Sequence, residues 1–317
     1  MAVDMKNELR AGLDRPLRIG TRQSPLAMAQ AEMTANAILH AHGWHPDQVE
    51  LVPMIATGDK ILDRPLAEVG GKSLWTKELD RALHDGEIDC AVHSMKDVET
   101  IRPPEFVIAG MLERADTHDR LVGAASIEAL PQAAVVGTAS PRRKAQLLCQ
   151  RADLNIQLIR GNVQTRLKKI ADGEYDATLL AAAGLDRLEM QETGVEISRD
   201  ILLPAPAQGA IGVETRFEDQ HVRRLVHAIS STATFRAVTA ERLYLKQLTA
   251  DFHSPVAAWA TVEGTTVQLR AEILMPDGSE RISGLQEFEI GEVTAPGNLA
   301  DKLLGQASAE LRAIFGR

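Results

Sequence analysis

The feature that most constrains the fold is a regular alternation of short apolar strand patterns with helical patterns between residues 17 and 183. Strand-like runs such as 17–21 and 88–93 are separated by stretches with helical spacing, the first from Pro25 to about His42. Parallel strands joined through helices produce this rhythm, and their loops gather at the carboxyl ends of the strands, where ligands bind. The pattern therefore predicts an α/β fold with parallel sheets.

The pattern changes after Pro204. Three later segments, 256–262, 266–274 and 281–290, alternate between apolar and polar residues as antiparallel strands do. A closing helix is predicted over about residues 298–315. The sequence thus predicts two α/β units followed by a small α+β domain.

Composition excludes several classes of protein. Hydrophobic residues make up 44% of the chain, yet no stretch approaches the roughly 18 uninterrupted apolar residues of a membrane span. Residues 1–16 lack the apolar core of a secretory signal. Cys90 and Cys149 are too few for a disulfide framework and are predicted to be small core residues. These features predict a cytoplasmic protein with no membrane partner.

The charge distribution is uneven. A net charge of −9 argues against a nucleic-acid partner. Residues 139–170 depart from this balance, because Asp153 is their only acid among eight bases: Arg142, Arg143, Lys144, Arg151, Arg160, Arg166, Lys168 and Lys169. The stretch is either a pair of solvated helix faces or an anion site. Ser140 and Pro141 have the form of a helix start, whose backbone N–H groups would add donors to such a site.

The strand-like segment 91–98 ends in Lys96 and Asp97. This pair is either an ordinary ion pair at a strand end or a carboxylate that stabilises one positive centre in a polyacidic substrate. His93 is predicted to satisfy backbone partners at the strand end rather than to bind a metal, since no second ligand follows at a metal-like spacing. No metal site is predicted.

Six segments, in the same order along the chain, resemble the porphobilinogen deaminase (hydroxymethylbilane synthase) family: 18–26, 70–78, 93–97, 137–143, 159–163 and 204–214. The resemblance implies a transferase of tetrapyrrole (porphyrin and haem) biosynthesis. Such an enzyme condenses four porphobilinogen units head to tail into linear hydroxymethylbilane and releases ammonia. The partners implied are porphobilinogen and linear oligopyrroles, and the protein is expected to be a monomer.

The resemblance also implies a three-domain arrangement. Two doubly wound lobes like those of periplasmic binding proteins precede a small α+β C-terminal domain. The expected boundaries are 16–112 with 209–229 for domain 1, which carries the catalytic aspartate, 113–208 for the arginine-rich domain 2, and 230–317 for domain 3.

Matching positions imply the site residues. Asp97 is the expected catalytic carboxylate, which stabilises the cation left by ammonia loss and accepts a proton, and Lys96 is expected to orient substrate carboxylates. Arginine forks suit the acetate and propionate groups of pyrroles. Trp75, at a position that is usually aromatic in the family, is expected either to stack on a pyrrole or to pack a helix on the sheet. The expected substrate- and cofactor-binding set is Arg22, Ser24, Lys72, Trp75, Ser140, Arg142, Arg143, Arg160, Arg166, Arg187 and Gln208.

One position departs from the family. Its dipyrromethane cofactor is attached by a thioether to a cysteine in a domain 3 loop, and here Phe252 occupies that place, while Thr249 and Ala250 replace paired glycines. A phenyl ring has no thiolate to alkylate. The sequence therefore predicts that any dipyrromethane is held without a covalent bond.

Three hypotheses follow from this departure. The chain is a working deaminase that holds its primer through the arginines, or a paralogue that binds linear pyrroles without polymerising them. The third, a nucleic-acid binder that uses the basic stretch, is disfavoured by the net acidity and by the absence of interleaved aromatic residues.

Overall fold

The computed structural model describes residues 15–55, 76–251 and 253–317. These residues form two compact units. One comprises residues 15–55, 76–114 and 210–235, and the other comprises residues 115–209, 236–251 and 253–317. The division into three domains stays a prediction.

The described strands are β1 Leu17–Arg22, β2 Val49–Met54, β3 Cys90–Ser94, β4 Phe106–Met111, β5 Asp119–Val122, β6 Val135–Gly137, β7 Asn155–Gln157, β8 Ala177–Ala181, β9 Val195–Ile197, β10 Ile211–Arg216, β11 Val256–Glu263, β12 Thr266–Leu274 and β13 Arg281–Glu289. The described helices are α1 Pro25–His42, α2 Lys77–His84, α3 Pro141–Gln150, α4 Val163–Ala171, α5 Ala182–Arg187, α6 Gln220–His227, α7 Thr232–Gln247, α8 Ala295–Gln306 and α9 Ala309–Ile314.

The first unit is built on a sheet with strand order β2-β1-β3-β10-β4. Helix α1 begins where the sequence predicts, because the Ser24 side chain accepts the N–H of Ala27 and Pro25 fits the first helical turn. It ends at Gly43, whose φ of 63° lets its N–H bond back to the carbonyl of His40. Buried apolar residues of α1, β1 and β10 form one core cluster of this unit.

The mixed α/β architecture is confirmed, and the strands predicted between residues 17 and 183 pair in parallel, β1 with β2 and β3, and β6 with β7 and β8. Neither sheet is wholly parallel, however, because further strands join each one in the opposite direction. Strand β1 runs parallel to β2 and β3, whereas β10 is antiparallel to both β3 and β4. In the sheet β7-β6-β8-β5-β9 of the second unit, β5 is antiparallel to β8 and β9. Hydrophobic periodicity reports burial and not strand direction, so a strand that returns from a distant part of the chain is not distinguished.

The second unit also contains the antiparallel sheet β11-β12-β13 that the alternation predicts. Helices α7 and α8 pack on it around a core that includes Tyr244 and Leu303. The single closing helix predicted over 298–315 is wrong, because the chain breaks into α8 and α9 at Ala307. Ser308 starts α9 by accepting the N–H of Leu311.

No helix among the described residues is both long enough and apolar enough to cross a membrane.

Candidate functional site with an acidic turn and a buried arginine cluster

Strand β3 leads directly into the turn that carries Asp97. Its residues are buried as far as His93, and the chain then forms a short 3-10 helix over Met95–Asp97. The N–H of Met95 donates to the carbonyl of Ala210, which ties the turn to the start of β10. The Asp97 side chain keeps 36% of its surface exposed, so a ligand can reach this carboxylate.

One predicted partner lies beside this carboxylate. Arg22, at the end of β1, places its Nη1 4.0 Å from Oδ2 of Asp97. Parallel pairing of β1 with β3 brings the two strand ends together. Ser24 lies at the same edge as the N-cap of α1, and the predicted orienting residue Lys96 is half-buried. The first unit thus offers a partly exposed acid with a cation next to it.

Two contacts hold the turn in place. The buried Gln30 of α1 donates from Nε2 to Oγ of Ser94 over 2.8 Å. On the other side, a Cβ at Gly212 would lie 2.1 Å from Sδ of Met95, so β10 needs glycine where it passes the turn. The turn is therefore packed from both sides.

A buried ionic network lies behind the turn. Nε2 of His93 is 3.2 Å from Oε2 of Glu214, and Nε of Arg102 donates to Oε1 of Glu214 over 2.8 Å. Arg102 also pairs with Asp80 and Glu99. Burial alone would raise the pKa of Glu214, but the bonds from His93 and Arg102 lower it to about 2. The prediction that His93 bonds to backbone groups is therefore wrong, since its Nε2 contacts the carboxylate of Glu214.

Two of the predicted arginines surround one internal carboxylate. Nη2 of Arg142 lies 2.7 Å from Oδ2 of Asp119, and Nη2 of Arg143 lies 2.6 Å from its Oδ1. All three side chains are buried, and the two cations hold the pKa of Asp119 far below its usual range despite the opposing effect of burial. Ser140 caps α3 by accepting the N–H of Arg143, as its position predicts.

Gln208 and Arg187 complete the cluster. Gln208 is 1% exposed and donates from Nε2 to Oδ1 of Asp119 over 3.0 Å. Arg187, at the end of α5, donates from Nη2 to the carbonyl of Gly209 over 2.7 Å. We call Asp119, Arg142, Arg143, Arg187 and Gln208 the arginine cluster.

The cluster has donors that the described residues do not use. The Nε atoms of Arg142, Arg143 and Arg187 are buried and have no hydrogen-bond partner among the described residues. Burial lowers the pKa of Arg187 to about 10, against a small opposing effect of Asp186. A buried cation with an unused donor is stabilised by an anion, so the cluster suits a carboxylate ligand.

The other predicted cations are nearer the surface. Helix α4 carries Arg166, whose Nε donates to the carbonyl of Gly161, just before the helix, over 3.0 Å. Arg160 is half-buried just before this helix. Lys168 forms an exposed ion pair with Asp172, which agrees with the alternative that this part of the basic stretch is a solvated helix face. The basic stretch therefore divides into buried and solvated cations.

Three predicted positions, Lys72, Trp75 and Phe252, lie outside the described residues. Next to Phe252, the N–H of His253 donates to Oδ1 of Asp251 over 2.8 Å. Thr249 has a φ of 55°, a conformation that glycine adopts more easily.

The two cysteines are poor nucleophiles. Cys90 is fully buried in the β3 core, as predicted, and burial raises the pKa of its thiol. Cys149 is half-buried, donates from Sγ to the carbonyl of Gly278, and also has a pKa raised by burial. Since the thiolate is the reactive form, neither residue is suited to capture an electrophile.

One group of side chains has metal-like spacing. Ligand atoms of Asp116, His118 and Glu196 lie within 4.8 Å of one another in the described part of the chain. Arg199 places Nη2 3.1 Å from Nδ1 of His118 and 3.5 Å from Oδ1 of Asp116. This guanidinium already supplies a positive charge where a cation would bind.

The sequence reasoning missed Asp119 and the Glu214–Arg102 pair. Neither has a motif-like spacing, because their partners are 23 to 24 and 112 residues away along the chain. The available signal was weak. Asp119 and Glu214 are acids inside otherwise apolar strand patterns, and such acids are seldom buried unless paired.

Comparison with known proteins covers most of the chain. Residues 17–224 match the family model described as "Porphobilinogen deaminase, dipyromethane cofactor binding domain", and residues 235–306 match "Porphobilinogen deaminase, C-terminal domain". The porphobilinogen deaminase of Sphingopyxis alaskensis is 52% identical over 316 residues, which cover 98% of this chain and 99% of that protein. The porphobilinogen deaminase of Paracoccus denitrificans is 48% identical over 299 residues, which cover 93% and 96%.

Solved structures are similar at a much lower level. The periplasmic VFT2 domain of Bordetella pertussis BvgS aligns with a TM-score of 0.40 and 12% identity, over 75% of this chain and 96% of that one. A TRAP periplasmic solute-binding protein from Desulfovibrio salexigens aligns with a TM-score of 0.41 and 11% identity, over 69% and 73%. These scores are too low to support an argument about function.

Proposed function

The chain belongs to the porphobilinogen deaminase family, and from that premise we propose that it condenses porphobilinogen while holding a dipyrromethane primer without a bond to sulfur. The family polymerises porphobilinogen in tetrapyrrole biosynthesis, as a hydroxymethylbilane synthase of the transferase class. What is proposed beyond the family is the way in which this chain retains its primer.

The substrate explains why arginines are needed. Each pyrrole carries an acetate and a propionate, so a growing chain gains two negative charges with every ring. Arginine binds carboxylates through two parallel N–H···O bonds and stays charged when buried. The unused Nε donors of Arg142, Arg143 and Arg187 support this assignment of the arginine cluster.

Asp97 is suited to the cationic stage of the reaction. Loss of ammonia from porphobilinogen leaves an azafulvene whose positive charge is shared with the pyrrole nitrogen. We assign Asp97 to accept a hydrogen bond from that N–H and to take up the proton released when a new carbon–carbon bond forms. Its partial exposure and its position next to Arg22 support this role, and Lys96 is assigned to the substrate carboxylates.

The residues present fit a dipyrromethane bound through its carboxylates and not through a thioether. Arg187 is half-buried, and its buried Nε has no hydrogen-bond partner among the described residues. Phe252, in contrast, offers no sulfur, and both thiols are buried or half-buried with raised pKa values. When bound, a dipyrromethane supplies the nucleophilic pyrrole carbon from which a chain grows. The observation that carries the proposal is therefore a retained arginine cluster in a chain whose two thiols both have raised pKa values.

Phe252 itself favours a second candidate function. A bulky ring at the attachment position is compatible with a paralogue that binds linear pyrroles and does not polymerise them. Such a protein would bind porphobilinogen saturably and release no ammonia.

The test is turnover of porphobilinogen by the purified chain, with ammonia and hydroxymethylbilane measured together. We expect turnover in the unaltered protein and a loss of about 10²- to 10⁴-fold in Asp97→Asn, the range that one acid–base group contributes. Asp47→Asn is the matched control, because Asp47 is a surface residue of the same unit with 77% of its side chain exposed. Saturable binding of porphobilinogen without ammonia release would contradict the proposal and favour the paralogue.

We further propose that the protein works as a cytoplasmic monomer without nucleic-acid or membrane partners. The net charge of −9 and two cysteines that are not disulfide-bonded support this setting.

A further inference from the structure

One buried carboxylate supports the loop of residues 204–209. Glu241 of α7 is fully buried, and its Oε2 accepts the backbone N–H of Ala207 over 2.6 Å. Its Oε1 accepts the N–H of Ala260 in β11 over 2.7 Å. A single side chain therefore fixes the loop to both a helix and a strand of the second unit.

The supported residue has an unfavourable backbone conformation. Ala207 has a φ of 62°, in the left-handed region that the Cβ of an L-residue disfavours. Such a conformation persists where the surroundings impose it, and a charge-assisted hydrogen bond is a strong constraint. Glu241 accepts the N–H of the strained residue itself and so favours this conformation of the loop.

The two residues that follow Ala207 contact the arginine cluster. Gln208 donates to Asp119, which pairs with Arg142 and Arg143. The carbonyl of Gly209 accepts Nη2 of Arg187. The direction of both groups depends on the backbone at Ala207, because a change in its dihedral angles would rotate the chain that follows.

We propose that Glu241 is a positioning residue for the arginine cluster, which it orients through Ala207, Gln208 and Gly209 without touching the substrate. This inference rests on the proposed function, since the cluster is assigned there to the carboxylates of the pyrroles. It places a determinant of substrate binding on α7, in the part of the chain that matches the C-terminal domain of the family.

The test compares Glu241→Gln with a double variant that relieves the strain. A glutamine at position 241 can accept only one of the two N–H groups, those of Ala207 and Ala260, through its single oxygen. Its NH2 group then faces the other N–H, and two donors cannot form a hydrogen bond. In Glu241→Gln we expect faster amide hydrogen exchange over residues 204–209 and a KM for porphobilinogen raised about tenfold, the usual effect of losing a charged hydrogen bond. Adding Ala207→Gly should recover much of the KM, because glycine adopts a positive φ without penalty.

Leu303→Ala is the matched control. Leu303 lies in the core beneath the β11-β12-β13 sheet and is fully buried, so its truncation destabilises the same unit. The variant keeps Glu241 and therefore its hydrogen bonds to Ala207 and Ala260. We expect a lower unfolding midpoint in this control with an unchanged KM. If Glu241→Gln fails to fold, Glu241→Asp keeps the charge while it withdraws the carboxylate from Ala207, and the same readouts apply.

The possible results separate the inference from the proposed function. Unchanged exchange at 204–209, an unchanged KM, or no rescue by Ala207→Gly would overturn the positioning role of Glu241. Absence of turnover in the unaltered protein would overturn the proposed function instead. The hydrogen-exchange comparison needs no substrate. If the unaltered protein shows no turnover, this comparison alone still decides whether Glu241 fixes the conformation of residues 204–209.

Discussion

At the scale of single residues, two aspartates with the same chemistry lie in opposite surroundings. Asp97 keeps 36% of its side chain exposed next to Arg22, and so a ligand can reach it. Asp119 has no exposed side-chain surface and is surrounded by Arg142 and Arg143. We therefore treat Asp97 as a reacting group and Asp119 as a support for the arginines.

The residue that most distinguishes this chain is Phe252, and restoring the missing thiol tests what else the site retains. In Phe252→Cys we expect a covalent adduct with the mass of a dipyrromethane after incubation with porphobilinogen, because a thiolate captures azafulvene readily. Intact mass under denaturing conditions measures it. Cys90 and Cys149 in the unaltered chain are the internal control and should remain unmodified. A variant that folds, consumes porphobilinogen and gains no adduct would contradict this expectation.

Arg187 offers a second prediction at this scale. Arg187→Gln removes a half-buried cation whose Nε donor is unused among the described residues, so we expect the KM for porphobilinogen to rise roughly 10- to 100-fold, as for loss of a charged hydrogen bond. Steady-state kinetics with porphobilinogen measure this change. Lys168→Gln is the control, since Lys168 belongs to the same basic stretch but has 73% of its side chain exposed. Equal effects of the two substitutions would mean that general charge, and not the cluster, binds the substrate.

At the scale of elements, a buried ionic contact between His93 of β3 and Glu214 of β10 links these two strands behind the turn that carries Asp97. The pKa of Glu214 is about 2 in the folded protein, below the 4.5 of an ordinary glutamate. A carboxylate whose pKa is lower in the folded state stabilises the fold above its unfolded pKa. That stability is lost as the pH falls through the folded pKa. The network should therefore weaken between about pH 5 and pH 2.

Glu214→Gln tests this acid sensitivity. We expect it to cost about 3 kcal/mol of unfolding free energy at neutral pH, since removing one partner leaves Arg102 and His93 without their shared carboxylate. The unfolding free energy of the variant should also depend less on pH in the acid range. Denaturant unfolding at several pH values measures both effects. Glu32→Gln, at an exposed position of α1, should match the unaltered protein, and a parallel pH profile in both variants would refute the account.

The sequence predicts elements well where the pattern is long and capped. The start of α1 at Pro25, the span of α4 and the strand β12 lie where capping and alternation place them. Strand β9 was missed, because its three residues carry little periodicity of their own. The parallel pairs of β1 and β6 were predicted, but the antiparallel direction of β10 was not. This strand returns to its sheet from about a hundred residues away, and no local signal records its partner.

At the scale of the whole molecule, an acidic protein holds a local cluster of positive charge in the second unit. The net charge is −9, yet two buried arginines, Arg142 and Arg143, share the single carboxylate of Asp119. The positive charge of the arginine cluster, and not the negative net charge of the protein, therefore favours a polycarboxylate as the ligand at this place.

The sequence predicted the components of the site better than their arrangement. The resemblance identified Asp97, Arg22 and the arginines by position, and the structure describes Arg22 beside Asp97. It could not show that Arg142 and Arg143 share Asp119, because pairs at this separation along the chain arise from tertiary packing alone. The substrate contacts assigned to these residues stay predictions, as does the noncovalent primer.

The central claim is that the chain holds its primer by charge without a covalent bond. Intact mass of catalytically active protein, recorded first under native and then under denaturing conditions, tests it most directly. We predict a dipyrromethane mass that accompanies the native protein and disappears on denaturation. An adduct that survives denaturation, or turnover by protein that carries no pyrrole in either state, would contradict the claim.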